Sequence, residues 1–220
     1  MIREVKRDEL SACAELIRKS FQTVADEFGF TEENAPRFTA FATTEERLKW
    51  HMDGEHRLMY LDEEDGRICG YYSLLLRDPG ECELGSLSVL PEYRHRGIGG
   101  NLLLHAVKTA GEQGCTVMNL SMVEENMVLR SWYESYWAVH TGTEKFDFFP
   151  FTCGYMKIML EETGNPNCRI VEGAERIDVD EVVRLLRTTY WAGKRSKGQI
   201  QKSMEHSACY GVYLEDEPKL

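Results

Sequence analysis

Residues 89–103 read VLPEYRHRGIGGNLL, and the seven positions from Arg94 to Gly100 hold two arginines, a histidine and three glycines. An apolar run follows them with Ile98, Leu102, Ala106 and Ala110 repeating every four residues, which predicts a helix beginning near Gly97. The start of a helix presents backbone N–H groups without partners and roughly half a positive charge, and glycines let an anion reach those groups closely. A bound phosphate group is the chemistry this loop suits. Two nucleotide-loop patterns fail on inspection. A P-loop needs GxxxxGK[ST], and Gly97 to Leu103 holds neither lysine nor hydroxyl residue; GxGxxG would need glycine at Leu102. The seven cysteines are scattered singly, with no spacing suited to a metal, and no nucleophilic triad is visible.

The surrounding pattern supplies elements to position this loop. A short strand at IREVK precedes a helix over DELSACAELIRKSFQ, with Leu10, Cys13, Ala14, Ile17 and Phe21 on one face. Thr43 and Glu46 have capping-box spacing for a second helix, after a loop rich in acids and aromatics. RLMYL and RICGYYSLLL flank Asp65-Gly66, a hairpin turn. ECELGSLSVL reads as a fourth strand and CTVMNLSM as a buried one. EENMVLRSWYESYW reads as a helix, and AVHTGTEKFDFF with TCGYMKIML as a terminal hairpin. The expected architecture is α/β, a mixed and mostly antiparallel sheet flanked by helices.

Composition narrows the function class. With 26 basic against 37 acidic residues the formal charge is −11, which argues against nucleic acid as a partner and suits a cationic one such as an amine. No apolar run has the roughly 18 residues of a membrane span, and the charged start MIREVKRDEL is unlike a signal peptide. A cytoplasmic protein with reduced structural thiols is expected.

Arg94-x-x-Gly97-x-Gly99, preceded by Val89-x-Pro91 at a strand end and followed by an amphipathic helix, resembles the acetyl-CoA loop [QR]-x-x-G-x-[GA] of the GNAT superfamily of N-acetyltransferases. The order of elements over residues 1–160 is similar to that fold, and Asn126 followed by Tyr133 matches its later motif. The resemblance implies acetyl-CoA as co-substrate. Leu87, Ser88 and Val89 would bond its pantetheine arm as an added strand does. The backbone of His95, Arg96, Gly97, Ile98, Gly99 and Gly100, behind Arg94, would hold the pyrophosphate, and Asn126 would contact the arm. Trp137 and Ala138 stand where the family usually has Gly-Phe.

Direct attack by an amine requires loss of a proton, because an alkylamine with a pKa near 10.4 is neutral in only about one molecule in a few thousand at pH 7. Glu83 occupies a position where the family often has a catalytic glutamate, and strand alternation predicts Glu83, Gly85, Leu87 and Val89 on one face. It reads either as the base, with a water chain as the alternative route, or as a solvated carboxylate; Glu81 is the weaker candidate. Tyr133 reads as the proton donor to the leaving thiolate, or as a core aromatic beside Trp132, Tyr136 and Trp137. An amide near Val89 would hold the carbonyl oxygen. Cys115 and Cys153 read as core thiols.

The acceptor expected is a primary amine on a small molecule or peptide. Asp26, Glu27 and Glu32 could attract it, Phe38 or Phe41 could stack on it, and FDFFPFTCGY could wall the other side. Beyond a linker at 161–167, residues 168–220 parallel the opening of the chain: CRIVEGAERIDVDEVVRLLRTTYW with MIREVKRDELSACAELIRKSF, and YGVYLEDEPKL with HRLMYLDEEDGR. This reads as a partial GNAT-like N-terminal half of strand, helix, helix and strand, or as an unrelated extension. It lacks a glycine loop and would not bind acetyl-CoA. Its strand edges would pair with the first domain or another chain, which leaves room for a homodimer, or else the chain is cut from a longer one. The competing functions are an acetyl-CoA sensor without turnover and an interaction module in which residues 168–220 dock on the first domain or another chain.

Overall fold

The computed structural model describes residues 1–77, 80–160, 168–187, 195–207 and 209–214. The chain divides into two compact units, Met1–Thr163 and Gly164–Leu220.

In the first unit, β1 (Ile2–Glu4) leads into α1 (Leu10–Phe28), whose Leu10, Cys13, Ala14 and Ile17 are buried. The helix runs one and a half turns past the expected stretch, taking in Val24 to Phe28, and stops at Gly29 in the left-handed conformation (φ 70°). Asp26 and Glu27 therefore sit on a helix rather than in a loop. A short α2 (Thr39–Ala42) precedes α3 (Glu45–Asp53). The cap of α3 is Thr44, whose side chain accepts from the Arg47 N–H, and not Thr43 as the spacing predicts. The Thr43 hydroxyl is engaged one turn earlier, donating to the carbonyl of Thr39 at 2.7 Å.

Strands β2 (Leu58–Glu64) and β3 (Arg67–Arg77) form the expected hairpin, with Asp65 at φ 49° and Gly66 at φ 75°, both left-handed as a two-residue turn requires. Then come β4 (Glu81–Val89), α4 (Ile98–Glu112), β5 (Val117–Val123), α5 (Met127–Glu134), β6 (Val139–Lys145) and β7 (Thr152–Met159). The sheet has the order β1-β2-β3-β4-β5-β7-β6, all antiparallel except β4 with β5. A core of Leu102, Leu103, Ala106, Ala110 and Tyr133 with Tyr72, Leu74, Cys82 and Leu84 lies under α4 and α5. A second, of Leu10, Ile17, Leu48, Met59, Leu61 and Tyr71, lies under α1 and α3.

The second unit contains β8 (Cys168–Glu172), α6 (Val179–Leu186), α7 (Lys197–Glu205) and β9 (Tyr210–Leu214), with β8 and β9 antiparallel. Asp178 caps α6, Ser196 and Gln199 cap α7 reciprocally, and Lys197 reaches Asp180 at 2.6 Å to tie the two helices. The first unit opens with β1, α1, the short α2, α3 and β2, so it has one helix more between its two strands, and β1 is likewise antiparallel to β2. The expected linker at 161–167 and the matched stretches at 188–191 and 215–220 lie outside the described residues.

Candidate active site

Strands β4 and β5 pair over only three positions, Glu81 to Glu83 with Val117 to Asn119, and then separate. A cavity of about 660 Å³ lies along the gap, lined by Leu84 and Ser86–Val89 of β4 and Leu120–Val123 of β5. Arg94, His95, Gly97, Gly99 and Gly100 also line it, with Asn126, Trp132, Tyr133 and Tyr136. Of the expected cofactor-binding residues, Arg96 and Ile98 do not. Ile98 is buried in the core, and Arg96 pairs with Glu64 at 2.7 Å beside the Tyr93 ring.

The backbone of the loop is shaped for an anion. His95 (φ 60°) and Gly97 (φ 83°) are both left-handed, which turns successive amides toward one concavity. None of the backbone N–H groups from His95 to Gly100 donates to an acceptor in the described residues, and the first amide of α4 to be satisfied is that of Asn101, on the carbonyl of Gly97. These donors, free among the described residues and with open space beside Gly97, fit a pyrophosphate.

Arg94 points elsewhere. Its guanidinium donates to the Val89 carbonyl at 3.2 Å, the Ser20 carbonyl at 2.9 Å and the Thr23 hydroxyl at 3.0 Å. It therefore fastens α1 to the end of β4 instead of standing free to attract phosphate, and partial burial lowers its pKa from the usual value. Nothing in the sequence marks Ser20 and Thr23 except their one-turn spacing on α1, which hints at a shared partner.

A bulge interrupts β4. Tyr71 lies opposite Ser88 and Ser73 opposite Gly85, so Tyr72 faces two residues, and Ser86 takes φ 49°. The extra residue shifts the alternation by one. Leu87 and Val89 pack with Cys82 and Leu84 toward α4, whereas a Cβ on Gly85 would point at Arg57 and Ser73. The expectation that Glu83, Gly85, Leu87 and Val89 share a face is thus corrected. Glu83 is outside the cavity lining and pairs with Arg77 at 3.3 Å; Glu81 accepts from Asn119 at 2.8 Å. Among the described residues, the carboxylate that does line the cavity is Glu27.

The Tyr133 side chain lies in the cavity wall, only 7% exposed, and its hydroxyl has no hydrogen-bond partner among the described residues. Burial raises its pKa well above that of a free phenol, so it is a neutral donor. Asn126 caps α5, its Oδ1 accepting from the Leu129 N–H at 3.0 Å, which leaves its amide N–H groups for a ligand. Glu124 steadies the helix: it bonds Arg130 of α5 at 2.8 Å and His140 of β6 at 3.0 Å. Trp132 and Tyr136 close the wall against Gly99 and Gly100, where any larger residue at 100 would meet the Tyr136 hydroxyl.

Known proteins share this fold. The model of the acetyltransferase (GNAT) family matches residues 15–137. An uncharacterized N-acetyltransferase in the pepI 3′ region of Lactobacillus delbrueckii subsp. lactis is 26% identical over 151 residues, 64% of this chain and 83% of that one. Among solved structures, the PaiA N-acetyltransferase of Thermoplasma acidophilum, in complex with coenzyme A, superposes with a TM-score of 0.59 at 21% identity, over 72% of this chain and 98% of that one. The ribosomal-protein-S18-alanine N-acetyltransferase of Escherichia coli gives 0.57 at 17%, over 75% and 96%. With its family model spanning more than half its length and the mixed sheet split between β4 and β5, the chain belongs to the GNAT family of acetyltransferases.

Proposed function

We propose that the protein transfers an acetyl group from acetyl-CoA to a primary amine of a small molecule or peptide by direct attack. The observation that carries this reading is the juxtaposition, in one cavity, of His95, Gly97, Gly99 and Gly100, whose amides have no acceptor among the described residues, the open edge of β4 and the Tyr133 hydroxyl, likewise without a partner among them. Acetyl-CoA supplies the activated acetyl group. The loop amides hold its pyrophosphate, and the β4 backbone at Leu87 to Val89 orients the arm and offers an amide to the carbonyl oxygen as charge builds there. The Asn126 amide steadies the arm, and the Tyr133 hydroxyl gives its proton to the departing sulfur. With Glu83 outside the cavity lining and paired with Arg77, the amine proton leaves through water.

Release of the CoA thiol in the presence of a panel of amines tests the reading. Tyr133→Phe lowers kcat about tenfold to a hundredfold while the KM for acetyl-CoA stays put. In the native enzyme kcat/KM rises with pH toward the amine pKa, about tenfold per unit, with no fall from Tyr133 in that range because its raised pKa keeps it protonated. Tight acetyl-CoA binding with no thiol release from any amine would favour a sensor instead.

A further inference from the structure

One wall of the cavity differs in chemistry from the rest. It is made by Phe21 and Val24 of α1, Phe38 at the start of α2, and Phe149 and Phe151 at the entry to β7. The rings are held in place by one another. Phe38 meets Phe21 edge-on at 5.9 Å and Phe151 at 5.7 Å, and Phe149 stacks on Phe151 at 4.6 Å. Behind them the buried Phe30 lies 5.1 Å from Phe38 and 4.9 Å from Phe151, so the wall is backed and does not collapse inward.

Charge on this wall is sparse. Glu27 and Arg37 line it, and neither forms an ion pair with a described residue; the Arg37 guanidinium lies over the Phe148 ring at 4.7 Å. Arg94 is fully engaged with Ser20, Thr23 and Val89. An acceptor with several hydroxyls or several ammonium groups would desolvate each against phenyl rings that return no hydrogen bond, and a single carboxylate matches only one cation.

We propose that the acceptor is an apolar monoamine: one primary ammonium carried on a ring-sized hydrocarbon body that lies against Phe21, Phe38 and Phe151, with Glu27 drawing the ammonium in. This rests on the acetyl-transfer reading and names the substrate class of the same site. The aromatic faces attract the cation as well as burying the hydrocarbon. Sugars bearing amines and polyamines are discriminated against because their additional polar groups find no partners.

The test compares 2-phenylethylamine with spermidine and kanamycin, in turnover with acetyl-CoA and in calorimetric binding to the CoA-saturated protein. The expected result is a kcat/KM for 2-phenylethylamine at least tenfold above that for either polar amine, with the same order in binding. Phe38→Ala raises the KM for 2-phenylethylamine about tenfold and leaves that for acetyl-CoA unchanged. Phe151→Leu, which keeps the volume more closely, gives a smaller rise, and Glu27→Gln raises the amine KM in the same direction. Preferred turnover or binding of spermidine or kanamycin would overturn the inference while leaving acetyl transfer standing. Binding of 2-phenylethylamine without thiol release would do the reverse. Unchanged amine KM in both phenylalanine variants also overturns it.

Discussion

The guanidinium of Arg94 and the carbonyl of Ser20, 74 residues apart in the chain, are joined by a hydrogen bond of 2.9 Å that locks α1 onto the bulged end of β4. The loop arginine acts through position. Because the planar fork reaches Val89, Ser20 and Thr23 together, a lysine ammonium on a flexible stem cannot replace it. We expect Arg94→Lys to raise the KM for acetyl-CoA about tenfold and to cost ~1–2 kcal/mol of stability from the charged hydrogen bonds lost. Steady-state kinetics and denaturant titration measure both. If affinity falls with no loss of stability, the side chain is contacting the ligand directly and the anchoring role is wrong.

Gly100 and Gly99 make a matched pair for testing the wall formed by α5 and the turn that follows it. A methyl at Gly100 would collide with the Tyr136 hydroxyl and lie 3.1 Å from its ring carbon, whereas one at Gly99 would rest in ordinary contact, 3.6 Å from Trp132 and 3.7 Å from Val89. Gly100→Ala should therefore cost ~1–3 kcal/mol from overpacking and weaken acetyl-CoA binding by tilting α5, while Gly99→Ala costs under about 1 kcal/mol. Adding Tyr136→Phe to Gly100→Ala removes the atom in the way and should recover part of the loss. Equal effects of the two alanines in thermal melts would refute the assigned contact.

What was legible in the sequence was local. The phosphate-type loop is a strand, a turn and a helix start within about a dozen residues, and Asn126 and Tyr133 are separated by two turns of one helix, so spacing alone placed them together. The face of Glu83 was not legible, because it depends on the bulge. Ser86 is a non-glycine residue at φ 49°, and its conformation is set by the register against Tyr71 and Ser73 on the neighbouring strand. The partners of Arg94 were hidden for the same reason: Ser20 and Thr23 lie over 70 residues away. With Thr43 and Thr44 adjacent, only the preceding turn of α2, which occupies the Thr43 hydroxyl, decides which one caps α3.

Trp137 carries the last prediction. The N–H of Ala138 reaches back to the carbonyl of Tyr133 and that of Trp137 to Glu134, both at 3.1 Å, the paired bonds that close a helix through a left-handed residue. That residue is Trp137, at φ 63°, where the family usually has glycine. The chain path is kept, with Ala138 buried in the core, and the tryptophan bears the strain with its side chain 70% exposed. A left-handed conformation costs a residue with a Cβ ~1–2 kcal/mol, and glycine adopts it freely. Against this stand the looser unfolded state of glycine and the edge-on contact of Trp137 with Tyr136, 6.5 Å between centroids. Trp137→Ala keeps the strain and loses the ring, so it should melt below the native protein. Trp137→Gly should melt above the alanine variant by about 2–4 °C, the shift expected for ~1 kcal/mol in a protein of this size. Equal melting of the two variants would show that the left-handed turn stores no strain.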